Sequence, residues 1–316
     1  MEKRRIGNSD IDASVIGFGA WAAGKTGWGN VDENEVKDAI LRAVDLEVNF
    51  FDTAPVYGYG ESERIIGEAL QNVREQVYIA TKCGLLWDEK GKVQKHNGKE
   101  SILKEVDASL KRLNTDYIDL YQVHWPDVNT PISETMDALN EILHMKKVKY
   151  VGVSNFSAEQ MEEAKIYAPI ISLQSQYSIL KRKVENEDIP FVEREGMSLI
   201  PYSPLAQGLL TGKFSKDFII DEKDVRAFNP LFKEEAFAKN LEIVEKMKPI
   251  AEKYDRPLSQ VAVNWLLSKK VVSSVICGAR NAAQVEENTN ASEWKLAKED
   301  VAFIDSLLES RSEGAR

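Results

Sequence analysis

Cysteine is scarce in this sequence. The 316 residues include two cysteines, Cys83 and Cys277, and neither stands in a C-x-x-C pair. Zinc modules and disulfide frameworks need several cysteines at short, regular spacings, so neither is expected. Hydrophobic residues make up 43% of the chain. That fraction is enough for a large core, which we expect to hold the fold without covalent cross-links.

Positive charge and long apolar runs are also missing. The net charge is −10, which argues against broad nucleic-acid binding, although a few local cations can still hold one anionic ligand. No apolar run approaches the ~20 residues of a bilayer-spanning helix. The first ten residues, MEKRRIGNSD, lack the apolar core of a signal peptide. We expect a cytoplasmic protein with no nucleic-acid or membrane partner.

Short β-rich runs alternate with amphipathic helical runs eight times. The strands are nearly continuous apolar runs, as expected when both faces are buried, and no Gly/Ser linker divides the chain. We therefore expect a single domain, residues 1–316, folded as a (β/α)8 TIM barrel with an N-terminal β-hairpin cap and an extra C-terminal helix. A doubly wound sheet is the alternative. The predicted strands are VIGFG (15–19), VNFFD (48–52), VYIATK (77–82), YIDLYQVH (117–124), VKYVGVS (148–154), IISLQSQ (170–176), MSLIPYS (197–203) and SSVICG (273–278).

Two motifs of dinucleotide-dependent enzymes occur in unsuitable contexts. Residues 17–22, GFGAWA, fit G-x-G-x-x-A, but residues 22–32 separate them from the next helix and Trp21 is too bulky for close backbone approach. Tyr78 and Lys82 fit the Y-x-x-x-K pair, which works on a helix. On the predicted strand they stand ~13 Å apart. Neither motif therefore indicates a Rossmann-type enzyme.

Four ionisable residues stand at or just beyond the predicted carboxyl ends of adjacent strands: Asp52, Tyr57, Lys82 and His124. Barrels of this type keep their active sites on that face. A tyrosine pKa of ~10 is too high for efficient acid–base work at neutral pH, and we expect Lys82 to lower it, with Asp52 holding the lysine charged. His124 can hydrogen-bond a substrate oxygen or the phenol. Each residue alone has an ordinary structural explanation, but the four together favour a proton donor aimed at a developing alkoxide.

These residues resemble the catalytic tetrad of the aldo-keto reductases, and the resemblance is nearest to the bacterial and potassium-channel-β-like branch. It implies NADPH-dependent carbonyl reduction on a (β/α)8 barrel, with Tyr57 as the general acid. The resemblance rests on DTAPVYG (52–58), ATK (80–82) and YQVHWP (121–126), and it extends through GFGAW (17–21), LKRLNTDYIDLY (110–121), VGVSNFS (151–157), LQSQYS (173–178), YSPLAQGLLTGK (202–213) and GARNAAQVEEN (278–288).

The resemblance also implies an NADP(H) site. Ser154, Asn155 and Gln174 would hold the carboxamide, whose donors and acceptors Asn and Gln can match; for Gln174 the alternative is a satisfied buried polar group. Tyr202 would stack on the nicotinamide ring. Arg280 would contact the 2′-phosphate with two donors, which favours NADP over NAD. The remaining implied positions are Gly19, Ala20, Trp21, Asp52, Ser203, Pro204, Leu205, Gln207, Gly208, Lys213, Arg226, Gly278, Gln284, Glu287 and Asn288.

Tryptophans in predicted loops indicate an apolar substrate pocket. We expect Trp21, Trp28, Trp87 and Trp125 to line it with Tyr57 and His124 and to exclude water, although some could simply pack loops together.

Two segments are unusually long. The loop at 82–101 has a polar tip, and residues 213–232 suggest a lid over the cofactor.

The leading interpretation is a reductase of aldehydes, with ketones as a further class. Two alternatives stay open: a sugar or polyol dehydrogenase working in oxidation, and a slow, redox-sensing subunit that binds NADPH and acts through a partner.

Overall fold

The computed structural model describes residues 1–24, 31–221 and 224–313. Within these residues the strands follow the predicted alternation, with two additional hairpins. The strands are β1 (Lys3–Arg5), β2 (Asp12–Ser14), β3 (Ile16–Gly19), β4 (Phe50–Asp52), β5 (Tyr78–Cys83), β6 (Leu85–Trp87), β7 (Val93–Lys95), β8 (Ile118–Val123), β9 (Val148–Ser154), β10 (Ile170–Gln176), β11 (Ser198–Tyr202) and β12 (Val275–Gly278).

Eight of these strands form a parallel barrel in the order β11-β10-β9-β8-β5-β4-β3-β12. Its two end strands meet near Leu199. The N–H of Leu199 donates to the carbonyl oxygen of Val271 at 2.9 Å, and the Leu199 carbonyl oxygen accepts from the N–H of Ser273 at 3.1 Å. A doubly wound sheet keeps two open edges. This junction therefore confirms the barrel prediction against that alternative.

Helices pack around the barrel and follow local sequence signals. Asp32 caps α1 by accepting from the N–H groups of Asn34 and Glu35. Ser157 and Gln160 form a capping box at the start of α5. The helices are α1 (Glu33–Asp45), α2 (Glu61–Leu70), α3 (Lys99–Leu113), α4 (Ile132–His144), α5 (Ala158–Tyr167), α6 (Asp188–Arg194), α7 (Glu234–Tyr254), α8 (Leu258–Leu267), α9 (Ala282–Thr289) and the extra C-terminal α10 (Lys298–Glu313).

The N-terminal hairpin of β1 and β2 closes one end of the barrel. Ile6 and Ile11 have no exposed surface and pack in one cluster with Phe50, Leu120 and Ile200, which lie on three different barrel strands. Fully burying an isoleucine stabilises a protein by ~1.5–3 kcal/mol. The predicted cap is therefore an integral part of the core, and the opposite end of the barrel is left for function.

The long segment after Lys82 contains a second hairpin that the sequence reading did not anticipate. Strands β6 and β7 pair antiparallel, and the Asp88 carboxylate accepts from the backbone N–H groups of Lys90 and Lys92. Such side-chain-to-backbone bonds stabilise tight turns. Across the described ranges, no helix combines the length and apolarity needed to cross a bilayer.

Candidate active site

The tetrad positions occupy adjacent strand ends on the face opposite the hairpin cap. Asp52 ends β4, Lys82 is the penultimate residue of β5, and His124 directly follows β8. Side chains alternate along a strand, and Ala80 lies in the inner cluster with Phe50 and Leu120, so Lys82, two residues on, also points inward. The N–H of His124 donates to the Cys83 carbonyl oxygen at 2.9 Å. This bond extends the β5–β8 ladder and fixes the start of the loop that follows.

Lys82 and Asp52 form a buried ion pair. The Lys82 Nζ lies 2.7 Å and 2.9 Å from the two carboxylate oxygens of Asp52 and 2.8 Å from the carbonyl oxygen of Thr53. The side chains are 0% and 4% exposed. Burial lowers the pKa of Lys82, whereas the adjacent Asp52 carboxylate opposes that change. The ammonium group is therefore held by three oxygen acceptors in a site with almost no water.

Tyr57 and His124 lie against this pair. The Lys82 Nζ is 5.2 Å from the centre of the Tyr57 ring, and the His124 ring meets the Tyr57 ring edge-on at 5.8 Å. Burial, together with the positive charge of Lys82, lowers the pKa of His124 well below its ordinary value. The imidazole is therefore neutral at physiological pH and can donate or accept a hydrogen bond without carrying charge.

The expectation that Lys82 would lower the pKa of Tyr57 is wrong for this structure. Burial of the phenol raises its pKa well above the ordinary value, and the negative charge of Asp52 adds to the increase. The reason is that the loss of solvent around the buried phenol outweighs the attraction of Lys82, whose charge is partly offset by the Asp52 carboxylate bound to it. Tyr57 therefore keeps its proton at neutral pH, as a proton donor must.

The positions expected to hold the nicotinamide carboxamide form one hydrogen-bonded network beside the tetrad. Asn155 has a left-handed backbone, φ +62°, a conformation that asparagine tolerates better than most residues. Its Nδ2 donates to the His124 carbonyl oxygen at 3.1 Å and to the Ser154 Oγ at 3.0 Å, and its Oδ1 accepts from the Tyr202 hydroxyl at 2.9 Å. The network therefore joins the ends of β8, β9 and β11.

Gln174 is connected to the tetrad itself. Its Nε2 donates to the Asp52 Oδ2 at 2.7 Å, and the residue is 2% exposed. Both interpretations of Gln174 therefore stay open. Its Nε2 is satisfied by Asp52, as expected of a buried polar group, whereas its Oε1 takes no part in that bond and can accept from a carboxamide. Four amide or hydroxyl side chains therefore lie around the tetrad, and they fit the donor and acceptor pattern of a carboxamide: Ser154, Asn155, Gln174 and Tyr202.

The loop after β11 has an unusual backbone. Ser203, Ala206, Gln207 and Gly208 all have positive φ, between +49° and +93°, around Pro204 and the partly buried Leu205. Non-glycine residues in this region cost of order 1–3 kcal/mol each and cluster at functional sites. The Gln207 Oε1 also accepts from the Nδ2 of Asn229 at 2.9 Å. Part of the predicted lid therefore contacts the loop predicted to hold the phosphates.

The two cations proposed near this loop differ in their surroundings. Lys213 is exposed. Arg226 instead makes two side-chain bonds to the Asp224 carboxylate, and its guanidinium lies 5.4 Å from the centre of the Phe214 ring. A phosphate would have to compete with that carboxylate for the guanidinium, and the role expected of Arg226 stays a prediction.

Strand β12 and helix α9 carry the last group of predicted positions. Gly278 pairs with Gly19 across β12 and β3, and its carbonyl oxygen accepts from the Asn288 Nδ2 at 3.2 Å. The N–H of the exposed Arg280 donates to the Gln284 Oε1 at 2.9 Å. Glu287 is turned toward α8, where it accepts from the Ser259 hydroxyl. This end of α9 is suited to an anion, since helix N-termini present unpaired N–H groups.

The predicted aromatic rim is only partly assembled. The Trp21 ring, 37% exposed, lies 6.3 Å from the Tyr57 ring, and the N–H of Ala20 donates to the Asp52 carbonyl oxygen at 2.9 Å. Trp125 is 38% exposed, next to His124 in sequence. Trp28 lies outside the described residues.

Trp87 has a different environment. It packs on Tyr59 at 5.5 Å and lines a cavity of about 450 Å³ against α3 whose lining includes none of the four tetrad residues. Trp87 therefore lies beside residues 53–60, the loop that carries Tyr57, and the pocket role expected of it stays a prediction.

Among the residues that sequence reasoning missed, Thr53 supplies a carbonyl acceptor to Lys82. No side-chain pattern signals a backbone contact of this kind.

A (β/α)8 barrel with this cluster on its functional face has the architecture of an oxidoreductase that interconverts carbonyls and alcohols. The model of the aldo/keto reductase family matches residues 15–309. The chain belongs to this family, whose members use nicotinamide cofactors.

Individual relatives agree with the branch predicted from the sequence. The NADH-specific methylglyoxal reductase of Escherichia coli (strain K12) is 37% identical over 98% of this chain and 99% of its own. A probable voltage-gated potassium channel subunit beta of Arabidopsis thaliana is 35% identical over 92% and 91%. The solved structure of a glycerol dehydrogenase from Gluconobacter oxydans matches with a TM-score of 0.91 and 36% identity, covering 98% of this chain and 95% of that one.

Proposed function

We propose that this protein reduces small aldehydes, and ketones as a second class, with NADPH as the reductant and Tyr57 as the general acid. The observation that carries the proposal is the position of Tyr57, with the Lys82 ammonium 5.2 Å from its ring and the neutral His124 against its edge. Two of the relatives above are named for methylglyoxal and for glycerol, which supports a small, oxygenated substrate.

In the proposed mechanism each residue has one task. Tyr57 holds its proton until the carbonyl oxygen becomes a strongly basic alkoxide, and then donates the proton to that oxygen. Lys82 stabilises the phenolate that remains, and Asp52 keeps Lys82 charged and in place. His124, as a neutral donor, orients the substrate oxygen. The nicotinamide, when bound, supplies the hydride; Ser154, Asn155, Gln174 and Tyr202 would hold it.

The test is a turnover assay with a matched pair of tyrosine variants. Purified protein is mixed with NADPH and a panel of aldehydes that includes methylglyoxal, and nicotinamide absorbance is followed. Tyr57→Phe should lower kcat by ~10²–10⁴-fold while NADPH binding is retained. Tyr59→Phe is the control, because the Tyr59 hydroxyl donates to the Gly91 carbonyl oxygen at the surface; it should stay near wild type. Unchanged turnover in Tyr57→Phe would contradict the assignment.

The preference for NADPH has its own test. Arg280 lies exposed at the start of α9, where a guanidinium can meet a 2′-phosphate with two donors. Arg280→Met should raise the KM for NADPH by ~10-fold, equivalent to one charged contact of ~1.4 kcal/mol, and leave the KM for NADH unchanged. A wild-type enzyme that favours NADH, as the Escherichia coli relative is named to do, would overturn the preference but not the reductase assignment.

The likeness to the glycerol dehydrogenase favours polyol oxidation as a second candidate. The same assay run with NADP⁺ and glycerol compares the two directions. Tight NADPH binding with no turnover on any carbonyl or polyol would instead support a regulatory role like that named for the potassium channel subunits.

A further inference from the structure

Strand β5 is held from outside the barrel as well as from inside. Lys82 faces the interior, so its neighbour Thr81 faces the surrounding helices. There the Thr81 hydroxyl donates to the Oε1 of Glu63 at 2.6 Å, and both residues have no exposed surface. A carboxylate is costly to bury unless it is paired. Glu63, on α2, is therefore a charged group between β5 and the surrounding helices, on the opposite side of β5 from the proposed catalytic Lys82.

The charge of Glu63 is balanced from the next helix. The Arg112 Nε, on α3, donates to the Glu63 Oε2 at 2.6 Å. Glycines make this approach possible. A Cβ added at Gly60 would lie 2.6 Å from the Arg112 Cδ, and one added at Gly67 would lie 2.4 Å from the Leu113 carbonyl oxygen. Both glycines lie within one turn of Glu63, so the sequence leaves space for this ion pair where a larger residue would clash.

A second, partly buried carboxyl group, Glu105 on α3, holds the backbone just after Lys82. The Glu105 Oε2 accepts from the N–H of Gly84 at 3.0 Å, and its Oε1 accepts from the Ser101 hydroxyl at 3.0 Å. Burial raises the pKa of Glu105 to about 7. Gly84 has φ +87°, so this bond holds a turn that glycine can adopt at little cost. Residues 81–84 are therefore fixed at both ends by acids on α2 and α3.

We propose that Glu63 is a positioning residue for Lys82: through Thr81 it fixes the end of β5, and its charge supports the lysine ammonium from behind. This inference rests on the proposed catalytic role of Lys82. Among the described residues, the charged and titratable groups that contact or act on Lys82 are Asp52, Tyr57 and His124 on the inner side and Glu63 on the outer side. Burial lowers the pKa of Lys82, and both Asp52 and Glu63 act against that lowering.

The sign of the expected pH effect follows from this balance. Lys82 acts in its charged form, so activity is lost as pH rises through its pKa in the folded protein. Glu63→Gln removes a negative charge that raises this pKa, while the amide oxygen of glutamine can still accept from Thr81. The alkaline limb of the kcat profile should therefore move to lower pH, by about one unit if the lost interaction is ~1.4 kcal/mol.

The hydrogen bond is tested separately with two variants of Thr81. Thr81→Val removes the hydroxyl at nearly constant shape, and Thr81→Ser restores it. Thr81→Val should lower kcat by ~10-fold, as expected for loss of one bond to a charged group, with NADPH affinity unchanged, whereas Thr81→Ser should stay within about twofold of wild type. Melting curves and NADPH titrations on each variant exclude unfolding as the cause.

The outcomes separate this inference from the proposed function. Lys82→Met is measured in the same assay. If Lys82→Met retains turnover, the proposed tetrad mechanism itself fails. This inference is overturned by a different result: Lys82→Met is inactive, but Thr81→Val has the same kcat as Thr81→Ser, and the alkaline limb of the kcat profile of Glu63→Gln stays at the wild-type pH. Glu63 would then have only a structural role. A lower kcat in Thr81→Val, with the limb shifted in Glu63→Gln, supports it.

Discussion

The substitution Asp52→Asn removes the negative charge of the buried ion pair and replaces one of the two oxygen acceptors used by Lys82 and Gln174 with an amide donor. Asparagine keeps the shape of aspartate, but it leaves the ammonium of Lys82 without a counter-ion in a site where the two side chains are 0% and 4% exposed. Removing one partner of a buried pair destabilises a protein by ~3–5 kcal/mol. At ~2 °C per kcal/mol for a chain of this size, we expect the melting temperature at pH 7 to fall by ~6–10 °C.

The loss should depend on pH in a defined direction. Lys82 has its pKa lowered by burial even with Asp52 present, and Asp52→Asn should lower it further. A lysine whose pKa is lowered in the folded state binds fewer protons there than in the unfolded state. It therefore destabilises the fold at low pH. This destabilisation disappears as the pH approaches the unfolded pKa of ~10.4. The gap in melting temperature between variant and wild type should therefore narrow from pH 7 to pH 10.

Two further variants make the measurement decisive. Asp137→Asn makes the same chemical change at an exposed carboxylate, 62% exposed and bonded to Lys99; its melting temperature should stay within about 1 °C of wild type, because surface pairs contribute little. The double variant Asp52→Asn with Lys82→Met removes both charges and should recover much of the lost stability. A double variant that melts as low as Asp52→Asn would refute the idea that an unpaired buried charge causes the loss.

Two other predictions concern His124 and the hairpin cap. Because the pKa of His124 lies well below its ordinary value, the pH profile of kcat/KM should show no limb near pH 6.5; a limb there that disappears in His124→Gln would contradict a neutral imidazole. Ile6→Ala should cost ~2–5 kcal/mol by opening a cavity in the core and leave kcat/KM unchanged. Ile166→Ala, on α5 at a side chain 73% exposed, should change neither the denaturation midpoint nor the activity.

The barrel could be predicted because its signal is local and repeats. Eight apolar runs, each followed by an amphipathic helix, appear in the chain order that the structure shows. The convergence of Asp52, Lys82 and His124 followed from the same pattern. In a parallel barrel every strand ends on the same face, so a polar residue at a strand end has its location settled once the strand is recognised.

What the sequence could not supply was the choice of partner for each polar group. The family resemblance implied that Gln174 holds a carboxamide, but its amide also bonds Asp52. Arg226 was expected at a phosphate, but an aspartate two residues away in sequence binds it. The pKa of Tyr57 is raised mainly because the folded chain buries the phenol, with the charge of Asp52 adding to the increase. These outcomes depend on which groups the folded chain brings within hydrogen-bonding distance, which no residue pattern encodes.

The Thr81–Glu63 contact on the outer side of β5 shows which part of a contact can be predicted from sequence and which part cannot. The alternation that places Lys82 inside the barrel also places Thr81 outside it. The outward direction of Thr81 could therefore be predicted from the strand alone. The other part of the contact requires the rotation of α2 about its axis. Gly60, Glu63 and Gly67 mark the face of α2 that meets α3 and Arg112, yet a glutamate on an amphipathic helix ordinarily belongs to the solvent. Gly67 is needed for the close approach of α3, whereas Gly60, at φ +102°, is also favoured by its own backbone. The two glycines therefore indicate a crowded helix contact but not, by themselves, a buried acid.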